Sequence, residues 1–130
     1  MHNDSLIVIK DILEDYSDDI QEGISKDAQE VAKKGVQELR ATSPKRKGGK
    51  GEYSKGWKVN TDKSRDSISC IIHNSTNYQL THLLEKGHRI INRKGEYKGD
   101  VKAYVHIAPV EEKCINEYQK AVESTIKNGG

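Results

Sequence analysis

The 130-residue sequence predicts an α+β domain. The expected parts are a long N-terminal helix, a small antiparallel sheet of about four strands, one short helix between two hairpins, and a C-terminal helix packed on the sheet. Three observations point there. Apolar residues recur at helical spacing at both ends of the chain. They alternate with polar residues in the middle, and a short helical stretch closed by glycine interrupts that alternation. Antiparallel strands with one wet face, covered by amphipathic helices, bury such stripes most simply. The length suits one domain spanning residues 1–130.

From Leu6 to Leu39 the stripe runs through Ile9, Ile12, Leu13, Tyr16, Ile20, Ile24, Ala28, Val31, Ala32 and Val36. No proline interrupts it, so residues 1–42 read as one long helix, or as two joined near Gly23 or Gly35. Pro44 stops it, because the residue before a proline is pushed out of the helical region. Residues 43–56, SPKRKGGKGEYSKG, form a basic, glycine-rich stretch that cannot pack a core and reads as a flexible loop. Trp57 to Val59 and Ser67 to His73 alternate with a period of two and read as a hairpin. Tyr78 to Lys86 returns to helical spacing, with Gly87 where a left-handed cap would fall. His88 to Ile91 and Lys102 to Ile107 read as strands around the loop NRKGEYKGD, completing a sheet region at 57–108. Pro109 suits the first turn of a last helix over 109–127, with its stripe at Val110, Cys114, Ile115, Tyr118, Val122 and Ile126.

Apolar residues make up 33% and charged residues 32%, with no Phe and one Trp, so the core must be modest. A chain this polar gains from burial against other subunits. The net charge is only +2, but it is unevenly spread. Residues 1–42 hold ten acidic and five basic side chains, and the remainder ten acidic and seventeen basic. Such separation suits head-to-tail contact between copies, and equally a solvated acidic helix beside basic loops. No apolar run approaches the roughly 20 residues that cross a bilayer, and the N-terminus lacks a signal pattern, which predicts a cytosolic chain without membrane contact. Cys70 and Cys114 lie far apart without CxxC spacing and read as small core residues.

The stretch HLLEKGH at 82–88 raises the possibility of a metal site. His82 and Glu85 can share a helix face, but His88 is six positions from His82, whereas zincins place their histidines four apart. A metallohydrolase would need a remote ligand such as His106. The alternative is a structural corner: Leu83 and Leu84 bury, His82 and Glu85 make polar contacts, Gly87 permits the reversal, and His88 and His106 sit near strand ends. GEYSKGW fails as a phosphate loop because Trp57 stands where lysine is needed. Neither cysteine has the setting of a reactive thiolate, so no cofactor is called for. A nucleic-acid-binding module is the other rival. The basic stretches 43–56 and 92–102, with Tyr53, Trp57 and Tyr97 interleaved, follow the cation-plus-aromatic pattern for single strands.

The order SPKRKGGKGEYSKGWKV, IIHNSTNYQLTHLLEKGH, VHIAPVEEKCINEYQKAV resembles the small tail-component or neck proteins of long-tailed bacteriophages. In that family a basic loop leads through glycine and tyrosine to a tryptophan strand, Asn and Tyr precede HLLE-x-GH, and HI-x-P opens the final helix. The resemblance runs from about Ser43 to Ile126. The loop is expanded here at Lys47-Gly48-Gly49-Lys50-Gly51. The resemblance implies a non-enzymatic structural protein of a phage or prophage. It would form a ring, commonly sixfold, at the head-to-tail junction, with connector and tail-tube proteins as partners. It further implies a place in the virion, after assembly in the bacterial cytoplasm. Lys45, Arg46, Lys47, Lys50, Lys55, Arg93, Lys94 and Lys98 are then the candidates for partner contacts or for lining a DNA channel.

Overall fold

The computed structural model describes residues 6–45 and 51–130. The chain runs β1 (Ile7–Ile12), α1 (Asp18–Thr42), α2 (Glu52–Lys55), β2 (Trp57–Ser64), β3 (Ser67–Asn74), α3 (Tyr78–Lys86), β4 (His88–Ile91), β5 (Tyr97–Val101) and α4 (Ile107–Asn128). The architecture is α+β, with a long helix near the N-terminus, antiparallel strands, a short helix and a C-terminal helix.

The helix expected over 1–42 starts only at Asp18, and Ile7–Ile12 is a strand. Ser17 caps the helix, its side chain accepting from the Ile20 N–H at 3.4 Å, and Asp18 and Asp19 complement the helix dipole in the first turn. Upstream, β-branched residues alternate: Ile7 and Ile9 are buried, while Val8, Lys10 and Ile12 are exposed. That period of two is satisfied by antiparallel pairing of β1 with β3, which places Ile7 opposite Ile72 and Ile9 opposite Cys70. From Asp18 the helix is unbroken, and neither Gly23 nor Gly35 divides it. A Cβ on Gly35 would lie 2.8 Å from Cys114 Sγ and 2.9 Å from Ile72 Cδ1, so its bare backbone lets α4 and the sheet close on α1.

The strands form two separate sheets instead of one: a three-stranded sheet in the order β1-β3-β2, and the hairpin β4-β5. One face of the first sheet presents Ile7, Ile9, Trp57, Ile68, Cys70 and Ile72 to the core. Against it α1 sets Ile24, Ala28, Val31, Ala32, Val36 and Leu39, while α4 contributes Ile107, Val110 and Cys114. Helix α4 packs along α1 and meets the sheet at β1. Both cysteines are free and buried, as two small core residues should be.

The strand expected at 102–107 is displaced. Strand β5 takes Tyr97–Val101, residues 102–106 form no regular element, and α4 begins at Ile107. Two hydrogen bonds explain the shift: Tyr104 N–H donates to Leu84 O at 2.6 Å, and His106 N–H donates to Glu85 instead of to a ladder. Within the expected loop 43–56, Glu52–Lys55 is one helical turn, and residues 46–50 of that loop lie outside the described residues.

Candidate functional site: a buried polar junction and an exposed hairpin

Helix α3 is amphipathic in an inverted sense. It buries Thr81 and Glu85, leaves Leu84 half-buried, and exposes Tyr78, Leu80 and Leu83. This corrects the expectation from sequence that Leu83 is buried, while Glu85 does make the polar contacts expected of it. The cause of the inversion is the N-terminus of α4. The Glu85 carboxylate accepts from three successive backbone N–H groups: His106 at 2.9 Å and Ile107 at 3.0 Å on Oε1, and Ala108 at 3.0 Å on Oε2. A helix leaves its first N–H groups unpaired, and a carboxylate there satisfies both the hydrogen bonds and the dipole. Glu85 is therefore a cap delivered from another element, which no local capping pattern encodes.

His106 extends the junction. Its Nδ1 lies 2.8 Å from Tyr104 O and 3.1 Å from Glu85 Oε1, and its Nε2 lies 2.7 Å from the Tyr53 hydroxyl. Burial, with the Glu85 charge nearby, pushes the Tyr53 phenol well above its ordinary value. Nδ1 faces two acceptors, Tyr104 O and Glu85 Oε1, and with the ring proton assigned there Nε2 accepts from the Tyr53 hydroxyl. Beside it, Trp57 is fully buried, edge-on to both Tyr53 and His106, and its indole N–H donates to Ser43 Oγ at 2.8 Å. Asn74 donates to Tyr53 O at 2.7 Å and accepts from the Asn77 N–H at 2.8 Å, which ties α2 to the start of α3. Ser43, Tyr53, Trp57, Asn74, Glu85 and His106 thus join five elements and the end of α1 through buried hydrogen bonds and edge-on ring contacts.

Of the corner residues read from the sequence, Glu85 and His106 meet, while His82 and His88 face solvent. Gly87 ends α3 with φ 76° and ψ 176°, an extended conformation of the left-hand side rather than a left-handed cap. A Cβ there would lie 2.6 Å from Val101 O, so the chain reverses with backbone against backbone. Among the described residues no group of three or more His, Cys, Asp or Glu side chains could hold a metal ion. His82 does not join Glu85 and His106. The partners of this cluster that sequence reasoning missed are Ser43, Asn74, Tyr53 and Trp57. The rival nucleic-acid reading counts the last two among its stacking aromatics, for which burial makes them unavailable.

The hairpin β4-β5 is the opposite case. Every residue of β4 is exposed, as are Tyr97 and Val101 of β5, and Tyr104 and Val105 just beyond. The Arg89 guanidinium lies over the Tyr97 ring at 4.8 Å, and the Tyr97 hydroxyl donates to Asp100 Oδ2 at 2.8 Å. Lys45, Lys55, Arg93, Lys94 and Lys98 are exposed, with Lys98 near Glu96 at 3.4 Å; Arg46, Lys47 and Lys50 lie outside the described residues.

No helix of the described residues is long and apolar enough to cross a membrane. No match was found among curated proteins, and none among solved structures. Residues 8–87, more than half of the chain, match the protein family described as "Bacteriophage HK97-gp10, putative tail-component". The chain belongs to this HK97-gp10-like family of phage tail components.

Proposed function

We propose that the chain is a non-enzymatic structural part of the phage neck, completing the tail at the head-to-tail junction as an oligomeric ring of sixfold symmetry. Its partners are further copies of itself together with connector and tail-tube proteins. It resides in the virion after assembly in the host cytoplasm. One observation carries the reading. The acid and imidazole that most resemble a catalytic pair, Glu85 and His106, are 7% and 3% exposed and are engaged in holding α3, α2 and α4 together. Among the described residues, an apolar hairpin, β4-β5, and the basic side chains of Lys45, Lys55, Arg93, Lys94 and Lys98 reach solvent. Surfaces of that composition suit docking, since exposed apolar patches on a soluble chain mark interaction sites. In this reading Lys45, Arg46, Lys47, Lys50, Lys55, Arg93, Lys94 and Lys98 contact partners or line the passage through which DNA moves.

Electron microscopy of particles assembled without this chain tests the proposal. Full heads beside separate tails are expected. Intact, joined particles would overturn it.

A further inference from the structure

We infer that the β4-β5 hairpin of one copy docks in the groove between β1 and α4 of the next copy, which makes the contact between copies heterologous. The inference rests on the ring reading above and names the two surfaces that form it.

The hairpin is built to be covered. A two-stranded ribbon alone is marginally stable in water, and among the described residues this one pairs with no third strand. Ile90 and Val101 lie toward one face and Ile91 and Tyr97 toward the other, each between 38% and 52% exposed. The groove is a mainly apolar cleft of about 340 Å³ lined by Val8, Ile9, Ile115, Tyr118 and Val122, with Lys10, Asp11, Gln119 and Glu123 as its polar residues. Its strand wall, β1, is an edge of the three-stranded sheet.

Charge selects the occupant. Residues 88–102 carry five basic and two acidic side chains, net +3 with His neutral. Residues 10–30 carry eight acidic and two basic, net −6. Asp11 of that segment lines the groove, and the first half of α1 packs against the second half of α4, the helix that forms the other wall, with Thr125 Oγ1 donating to Asp27 and Gly23 set against Thr125. Two hairpins brought together would repel, and so would two acidic ends, whereas hairpin to groove is attractive. A contact between unlike surfaces generates a ring when its rotation closes.

The test places a photo-crosslinking residue at Ile91 in the full chain and mixes it with isotope-labelled copies, so that links between copies are told from links within one. A link from position 91 to residues 8–11 or 115–123 of another copy is expected, in concentrated purified protein and in particles. Raised salt should reduce its yield, because exposed charges are screened. The double variant Ile90→Ser, Ile91→Ser should keep the wild-type circular dichroism and unfolding midpoint while self-association weakens by roughly tenfold or more. Links confined to a different protein, links between two hairpins, or no link between copies would overturn the inference, as would unchanged association of the double variant. Particle assembly without the chain is scored separately. Joined particles would end the neck reading and leave a positive crosslink standing, and the reverse result would sink the interface alone.

Discussion

The Glu85 carboxylate lies 3.1 Å from His106 Nδ1 and accepts the backbone N–H groups of His106, Ile107 and Ala108. Two side chains 21 positions apart thereby fix where the last helix starts and how the short helix before the hairpin is held. The link between α3 and the body is therefore polar and specific, while the outer side of α3 stays apolar and open.

Replacing Glu85 measures that link. Glu85→Gln keeps the shape and one acceptor oxygen but turns its NH₂ toward a backbone donor and removes the charge at the helix start. Hydrogen bonds to a charged group contribute about 1.5–3 kcal/mol, and a loss in that range is expected in urea unfolding. Glu85→Ala, which strands three N–H groups, should cost more. Equal stability of all three proteins would show the cap to be idle.

The Tyr53 hydroxyl offers a narrower probe. Tyr53→Phe preserves the ring contacts with Trp57 but leaves His106 Nε2 buried without its partner. An unsatisfied buried polar group costs about 1–3 kcal/mol, which should appear as a lower unfolding midpoint. Tyr97→Phe removes an exposed hydroxyl bonded to Asp100 and should shift the midpoint by less than about 0.5 kcal/mol.

Gly87 and Gly95 both have positive φ, at 76° and 81°, yet their surroundings differ. Gly95 has nothing within 4 Å of an added Cβ, whereas at Gly87 Val101 O and Ala103 N lie at 2.6 and 2.9 Å. Gly95→Ala should therefore cost only the conformational penalty, about 1–2 kcal/mol. Gly87→Ala adds a clash with backbone that cannot yield locally, and a loss of about 3 kcal/mol or more is expected by thermal unfolding.

Alkaline pH should weaken the fold through Cys114. Burial, then the nearby carboxylates of Glu117 and Glu38, push its thiol from the ordinary 9.0 to about 11. The folded state thus holds its proton where the unfolded chain has lost it. The contribution is complete below about pH 9 and is lost as pH rises toward 11. The fall should be on the order of 1–2 kcal/mol. Tyr53 and Tyr118, both raised mainly by burial, add to it at higher pH. Urea midpoints of the wild type and Cys114→Ala between pH 8 and 11 would check this, and the variant should show the shallower decline.

The two long helices, the first hairpin and the short helix were legible because each has a clean period over enough residues. The first strand was not, since Ile9, Ile12, Leu13 and Tyr16 fit helical spacing as well as Ile7 and Ile9 fit a strand. The signal that separates them is Ser17-Asp18-Asp19, a capping residue followed by two acids, at which the helix begins. The junction was partly legible: the motif stretches contain Tyr53, Trp57, Asn74, Glu85 and His106, but not the way they meet. Convergence of residues up to 63 positions apart, Ser43 to His106, is a tertiary property that no local pattern carries. The inverted face of α3 was illegible for the same reason, because Glu85 is buried by an N-terminus that lies 21 residues downstream.

The basic loop of the first half gives the last prediction. Lys45 and Lys55 are exposed, and a surface substitution away from caps and ion pairs usually changes stability by no more than about 0.5 kcal/mol. Replacing Lys45, Lys47, Lys50 and Lys55 together by Ser should leave the unfolding midpoint nearly unchanged and impair the joining of heads to tails in a complementation assay. If the same lysines contact DNA, weak binding of the wild type at low salt should also fall steeply with salt and lose slope in the variant, because each phosphate contact releases counterions. Joining at the wild-type level would remove these lysines from the partner surface. Joining impaired with no DNA binding at any salt would assign them to protein contacts.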